Sequence, residues 1–145
     1  LYDSQIQVPL VIAGPTIRPG RITETVSLTD LVPTVLDIAG FVPPQGPSID
    51  GTSFADLATG KRTPNPEAGT AFSAMIKDRS NPGGITSMIR GRFKLIDNGR
   101  GLEMYDIHTD PHEHANILHA HPPAETPLRK LLRAHNDAAD RSPFD

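Results

Sequence analysis

Cysteine and tryptophan are both absent from this 145-residue chain. Without cysteine the chain can form no disulfide, no cysteine–zinc site and no cysteine-derived nucleophile of its own. Aromatic residues make up only 5% and hydrophobic residues 37%, so any core is lean. No apolar run approaches the roughly 20 residues that a membrane-spanning helix needs, and no stretch reads as a signal peptide. Positive charge is not in excess: 14 Lys and Arg stand against 17 Asp and Glu, a net charge of −3. A nucleic-acid partner, which needs a basic surface, is therefore not expected. What the chain does have is 12 glycines and 15 prolines. That content is high for a globular domain yet below the low-complexity range, so an ordered, loop-rich structure is expected. The length suits one ordinary domain, or a small domain with a piece of another.

The best-defined element lies within residues 26–40, VSLTDLVPTVLDIAG. Leu28, Leu31, Val32, Val35, Leu36 and Ala39 recur with helical spacing and read as one apolar stripe. With Asp30 as N-cap, Pro33 falls in the first turn, where its missing amide has no intrahelical partner to lose. Gly40 stands where a left-handed C-cap is wanted. The spacing predicts a helix over about 31–39. Before it, residues 8–13, VPLVIA, form a near-continuous apolar run of the kind found in parallel strands covered on both faces. The chain offers no second strand of that type, so its partners are expected in sequence outside this chain. The start, Leu1-Tyr2-Asp3 without Met, likewise reads as a piece of a longer protein.

After the helix, residues 41–50 read as an extended loop and Asp50-Gly51-Thr52 as a turn. A short helix over 53–59 is stopped by Gly60. Residues 63–69 form a proline-containing linker, which divides the chain into 1–62 and 70–145. Strands are expected at 70–76, 85–90, 92–97 and 102–106, joined by a polar loop over 77–84 and tight turns at Gly91 and 98–101. In the third strand, Phe93 and Leu95 face one side and Lys94 and Ile96 the other. Thr126 and Pro127 suit an N-cap and first helical position. Leu128, Leu131, Leu132, His135 and Ala139 then form a stripe able to cover the sheet. The fold class is α/β, in α+β form: a strand and helix from an α/β domain, then a four-stranded antiparallel sheet covered by a helix.

Chemistry is sparse. His108, His112, His114, His119 and His121 crowd together among Asp106, Asp110 and Glu113, but without the fixed spacing of a zinc site; a solvated loop accounts for them. Asp50-Gly51-Thr52-Ser53 is a plain turn rather than a phosphate loop. Lys77, Asp78 and Arg79 with Arg90 and Arg92 either face an anionic ligand or solvate a surface. No Ser–His–Asp arrangement can be argued from spacing.

Taken together the segments resemble the C-terminal part of a sulfatase, in the alkaline-phosphatase superfamily. Leu1-Tyr2-Asp3 with Val8-Pro9-Leu10-Val11-Ile12 is similar to the family's "LYE…VPLII" strand. Ser27-Leu28-Thr29-Asp30-Leu31-Val32-Pro33-Thr34-Val35-Leu36 is similar to its "S-x-x-D-L-x-P-T-L-L" helix, and Asp50-Gly51-Thr52-Ser53-Phe54 to its "DG-x-S-L". Arg90-Gly91-Arg92-Phe93-Lys94-Leu95-Ile96 resembles its "R-x-G-x-Y-K-L-I" hairpin. Glu103-Met104-Tyr105-Asp106, Asp110-Pro111-His112-Glu113 and Asn116-Ile117-Leu118 resemble its "ELYDL-x-x-DP-x-E-x-x-NL".

The resemblance implies a parent that hydrolyses sulfate esters, with a formylglycine nucleophile made from Cys or Ser in a C/S-x-P-S-R motif. It also implies a calcium-like divalent ion held by Asp and Asn. This chain has no C/S-x-P-S-R motif, no metal-binding Asp pair and no "HG-x-x-x-K" segment. It therefore carries no catalytic residue, no metal ligand and no cofactor of its own, and alone is expected to be inactive. The family's C-terminal part shapes substrate choice, which makes Lys77, Arg79 and Arg90 the expected rim for an anionic sulfate ester. The expected partner is the missing N-terminal part of the same protein, and the isolated chain is expected to self-associate or to hold its first sixty residues loosely. Two other readings stay open: a phosphodiesterase or phosphonate monoester hydrolase of the same superfamily, and a non-catalytic interaction module.

Overall fold

The computed structural model describes residues 1–41, 49–75 and 84–139. They fall into two compact units, Leu1–Gln7 with Ala71–Asp145, and Val8–Thr70.

The first unit is built on four strands, β1 (Thr70–Met75), β2 (Ile85–Arg90), β3 (Phe93–Asp97) and β4 (Leu102–Asp106). They lie side by side in chain order. The β2–β3 and β3–β4 pairings are antiparallel, and Leu95 stands opposite both Met88 and Met104. Tight turns impose this order. Gly91 has φ +56, which suits the first central position of a two-residue hairpin turn. At the next turn Asn98 Oδ1 accepts the Arg100 and Gly101 amides, both at 3.0 Å.

Strand alternation puts Met88, Leu95 and Met104 on one face, and α4 (Glu125–Ala139) lays Leu128 and Leu132 on them. These two leucines are one helical turn apart, so both point to the sheet. Lower on the same stripe the His135 ring stacks on Phe72 at 4.0 Å. Asn136 Nδ2 donates to Thr86 Oγ1 at 3.1 Å. Ala139, expected on this stripe, is exposed. The helix starts at Glu125, ahead of the expected Thr126 cap. On the second face Ser87, Lys94, Ile96 and Tyr105 are also buried. Against it lies a strap, Leu1–Gln7, that contains the four-residue α1 (Asp3–Ile6).

The second unit has a smaller core, Phe54, Leu57 and Ala58, with Ile12, Ile17, Val26, Leu31 and Ile38 packed around it. Here α2 (Leu31–Ile38) follows a 3-10 turn over Leu28–Asp30. Asp30 stands at the N-cap position of α2 as expected, but with helical backbone angles and no side-chain capping bond to that helix. Instead Ser27 begins the turn, accepting from Thr29 N at 3.4 Å, while Asp30 Oδ2 accepts the Ser27 amide at 2.8 Å. The reciprocal Ser and acid three residues apart form a capping box. Asp30 Oδ1 then accepts Thr52 N at 2.7 Å, tying the Asp50-Gly51-Thr52 turn to the helix start. Gly51 has φ +97, and a Cβ there would lie 2.4 Å from the Thr29 carbonyl oxygen, so only glycine fits. Gly40, at φ +76, ends α2 as expected.

Two further expectations are corrected. The stripe of α2 is not a single inward face. Leu31, Thr34 and Ile38 turn inward, whereas Leu28, Val32 and Val35 are each about 60% exposed. The helix is apolar on two sides, as a helix buried between two layers would be, and the described residues of its unit cover one. Residues 8–13 carry no strand. A strand must pair its backbone groups with a neighbour, and among the described residues none is available. Along the run Val11 is 90% exposed and Ile12 alone reaches the core. The short helix expected over 53–59 forms as α3 (Ala55–Ala58). The stretch 63–69 is tied down at its start: Glu24 accepts the Arg62 guanidinium through both oxygens at 2.9 Å and the Asn65 amide at 2.9 Å.

Candidate functional site

Of the expected rim residues, Lys77 and Arg79 lie outside the described residues. Arg90 is exposed at the end of β2, opposite Phe93 and next to Gly91. The five clustered histidines are all exposed and do not converge. The His112 and His114 rings are 5.7 Å apart and tilted, and His121 Nδ1 approaches Glu125 Oε2 at 3.2 Å. Among the described residues no three His, Asp or Glu side chains could hold a metal ion.

The buried polar chemistry is concentrated on the second face of the sheet. Lys94 is fully buried, and its Nζ lies 2.6 Å from Asp3 Oδ1 and 2.6 Å from Glu113 Oε1. The first contact is an aligned hydrogen bond. The Asp3 amide donates to the other Glu113 oxygen at 2.6 Å. Beside this triangle Glu103 Oε2 accepts from Tyr2 Oη at 2.9 Å and Tyr105 Oη at 3.0 Å, and Glu103 Oε1 accepts from Asn98 Nδ2 at 2.8 Å. Burial, and then the Glu103 carboxylate, push the Tyr105 phenol far above its ordinary value. The hydrogen bond to Glu103 raises Tyr2 as well. Both phenols are therefore fixed as neutral donors.

The resemblance motifs prove to be the frame around this face. The Arg92 guanidinium pairs with both oxygens of Asp106 and holds that carboxyl below its usual range. Asp110 Oδ2 accepts the Ala115 amide at 2.7 Å. Backbone amides of Ala115 and His114 keep Asp110 below its ordinary value. Asn116 Oδ1 accepts Met104 N at 3.1 Å and Leu118 N at 3.0 Å, fastening the loop to β4. Glu113, between them, adopts φ +55, uncommon for a residue with a side chain. Each of these groups already holds a backbone amide or an ion partner. The described residues therefore do not fit the divalent ion that the resemblance implies.

Sequence reasoning missed the Lys94 triangle. The one signal was alternation in β3, which sets Lys94 beside Ile96: a lysine on a buried face must find carboxylates. Nothing local points to Asp3, 91 residues earlier.

The fold around this face is a four-stranded antiparallel sheet under one helix, with the acid-rich loop fastened to β4. The chain belongs to the family described as N-sulphoglucosamine sulphohydrolase, C-terminal, whose model it matches over residues 1–138. It is 31% identical over 140 residues to arylsulfatase K of Danio rerio, a match covering 92% of this chain and 26% of that protein. It is 29% identical over 145 residues to the delta 4,5-hexuronate-2-O-sulfatase of Bacteroides thetaiotaomicron, covering 96% of this chain and 29% of the other. Among solved structures it is similar to that of BT4656 in complex with its substrate D-glucosamine-2-N,6-O-disulfate. The TM-score is 0.60 and the identity 24%, over 79% of this chain and 24% of that one. That likeness is one of fold. The chain thus spans about a quarter of the length of the curated relatives it matches. Among the described residues no helix is long and apolar enough to cross a membrane.

Proposed function

We propose that this chain is the C-terminal portion of a sulfatase-type hydrolase that cleaves an anionic sulfate ester, and that it is inactive alone. The observation that carries the reading is the family match over 1–138 in a chain a quarter the length of its relatives. The outward stripe of Leu28, Val32 and Val35 and the unpaired run 8–13 support it, because they expose apolar surface that a missing layer would bury. That layer is the N-terminal part of the same protein. It supplies the formylglycine nucleophile and the calcium-like divalent ion, since the described acids here are engaged elsewhere. Arg90, with Lys77 and Arg79, contributes to the rim that meets the sulfate group. The relatives named for an aryl sulfate and a hexuronate 2-O-sulfate make a sulfated aromatic or sugar the first substrates to test.

The test compares this chain with the longer reading frame that contains it, each assayed on an aryl sulfate, a sulfated hexuronate and a phosphodiester. Sulfate release by the longer protein and none by the chain is the expected result. Phosphodiester cleavage in place of sulfate release would move the parent to phosphate chemistry. A reading frame without a C/S-x-P-S-R motif and without turnover would leave the interaction module.

A further inference from the structure

The strap Leu1–Gln7 buries no side chain fully; Leu1, Asp3 and Ile6 are half-buried. None of the α1 residues is buried, and a four-residue helix is far too short to persist by itself. Its shortest contacts with the rest of the unit are polar. Lys94 Nζ meets Asp3 Oδ1, the Asp3 amide meets Glu113 Oε2, and Glu113 Oε1 returns to Lys94, each at 2.6 Å. The three groups close a ring among residues 3, 94 and 113. Tyr2 adds a peripheral contact, its ring edge-on to Tyr105 at 6.1 Å and its hydroxyl on Glu103. The ring's shape is imposed from the loop side. Glu113 is kept at positive φ by its own amide on the Asp110 carbonyl at 3.1 Å and by the Asp110 side chain on Ala115 N.

We propose that Lys94 is the positioning residue of a polar clasp. With Glu113 it holds the strap on the second face of the sheet. A lysine that only filled the core would contribute equally to every part of the sheet. A positioning lysine acts on the strap first. The clasp stands whether or not the longer protein hydrolyses sulfate esters.

Amide hydrogen exchange on the full 145-residue chain separates the two roles. The reporters are Gln5 N–H, bonded to Tyr2 O at 2.8 Å, and Gln7 N–H, bonded to Asp3 O at 2.9 Å. The controls are the paired amides of β3 and β4. In Lys94→Met, exchange at Gln5 and Gln7 rises about tenfold or more beyond any rise in the controls, the excess that marks local opening of the strap. Should Lys94→Met fail to fold, Asp3→Asn decides, because it leaves Lys94 paired with Glu113 and removes only the strap's charge. It is expected to give the same strap-confined rise. The double variant should exchange no faster at Gln5 and Gln7 than the faster single variant, since both act through one ring. Unchanged exchange in Asp3→Asn, or an equal rise in strap and sheet, would overturn the proposal.

Discussion

Met88, Leu95 and Met104 are sealed between sheet and helix in one unit, while Val11, Val32 and Val35 stand in solvent in the other. The sheet unit buries both of its faces: one under Leu128 and Leu132, the other against its own strap through Lys94 and Tyr105. The Val8–Thr70 unit closes a small core around Phe54, Leu57 and Ala58, and leaves a second apolar side of α2 uncovered. Polar bonds do much of the holding there. Asp30 joins Ser27 to Thr52, and Thr34 Oγ1 donates to the Asp30 carbonyl at 2.6 Å while accepting Phe54 N at 3.0 Å. Among the described residues, the difference is between a stretch that covers its apolar side chains with its own chain and one that leaves an apolar helix side in solvent.

The comparison can be broken first at its strongest point. Glu113→Ala leaves Lys94 buried with one carboxylate, and unfolding the sheet unit in urea should become easier by about 3–5 kcal/mol, the usual cost of a half-emptied buried ion pair. Leu95→Ala, in the packed face, should cost about 2–5 kcal/mol by the same measurement. Its counterpart Leu57→Ala should loosen α2 and α3 in amide exchange and leave β2–β4 protected. Equal loss of protection in the sheet would show that the two units unfold as one.

Acid sharpens the contrast more gently. Arg92 holds Asp106, and Arg62 holds Glu24, below their ordinary values. The folded chain therefore binds fewer protons than the unfolded one between those lowered values and the ordinary range near pH 4 (about 3.9 for Asp and 4.3 for Glu). The stability these pairs contribute is complete above that range and is lost as pH falls through it toward the folded-state values. A melting temperature that drops on acidification below about pH 4, and drops less in Arg92→Ala, is the expected record.

The smallest effect on stability belongs to Val11→Ser and Val35→Ser, each within about 0.5 kcal/mol because the side chains are already in water. Their effect should appear instead in sedimentation, as a shift from associated species toward monomer. A wild-type chain that sediments as a compact, protease-resistant monomer would remove the contrast between the units.

The four strands, their turns and the covering helix could be read from the sequence because each carries its own local signal. Alternation marks β3, glycine marks the turn at Gly91, and four-residue spacing joins Leu128 to Leu132. Asp30 was legible as the N-cap position of α2, but only the fold shows its carboxylate bonded to the Ser27 and Thr52 amides instead of to the helix. The α2 stripe misled because periodicity reports that a residue is apolar, not which layer covers it. The run 8–13 has the composition of a buried strand, yet composition supplies no neighbour to pair with. Lys94 stayed hidden since its partners come from residues 3 and 113, and no local pattern encodes such a meeting.

Asp106, Asp110, Glu113 and Asn116 invite one last consequence. They belong to the segments that resemble the sulfatase motifs, and each is occupied in holding an amide or an ion partner in place. These four positions thus serve architecture: each is used on the fold's own backbone amides and side chains.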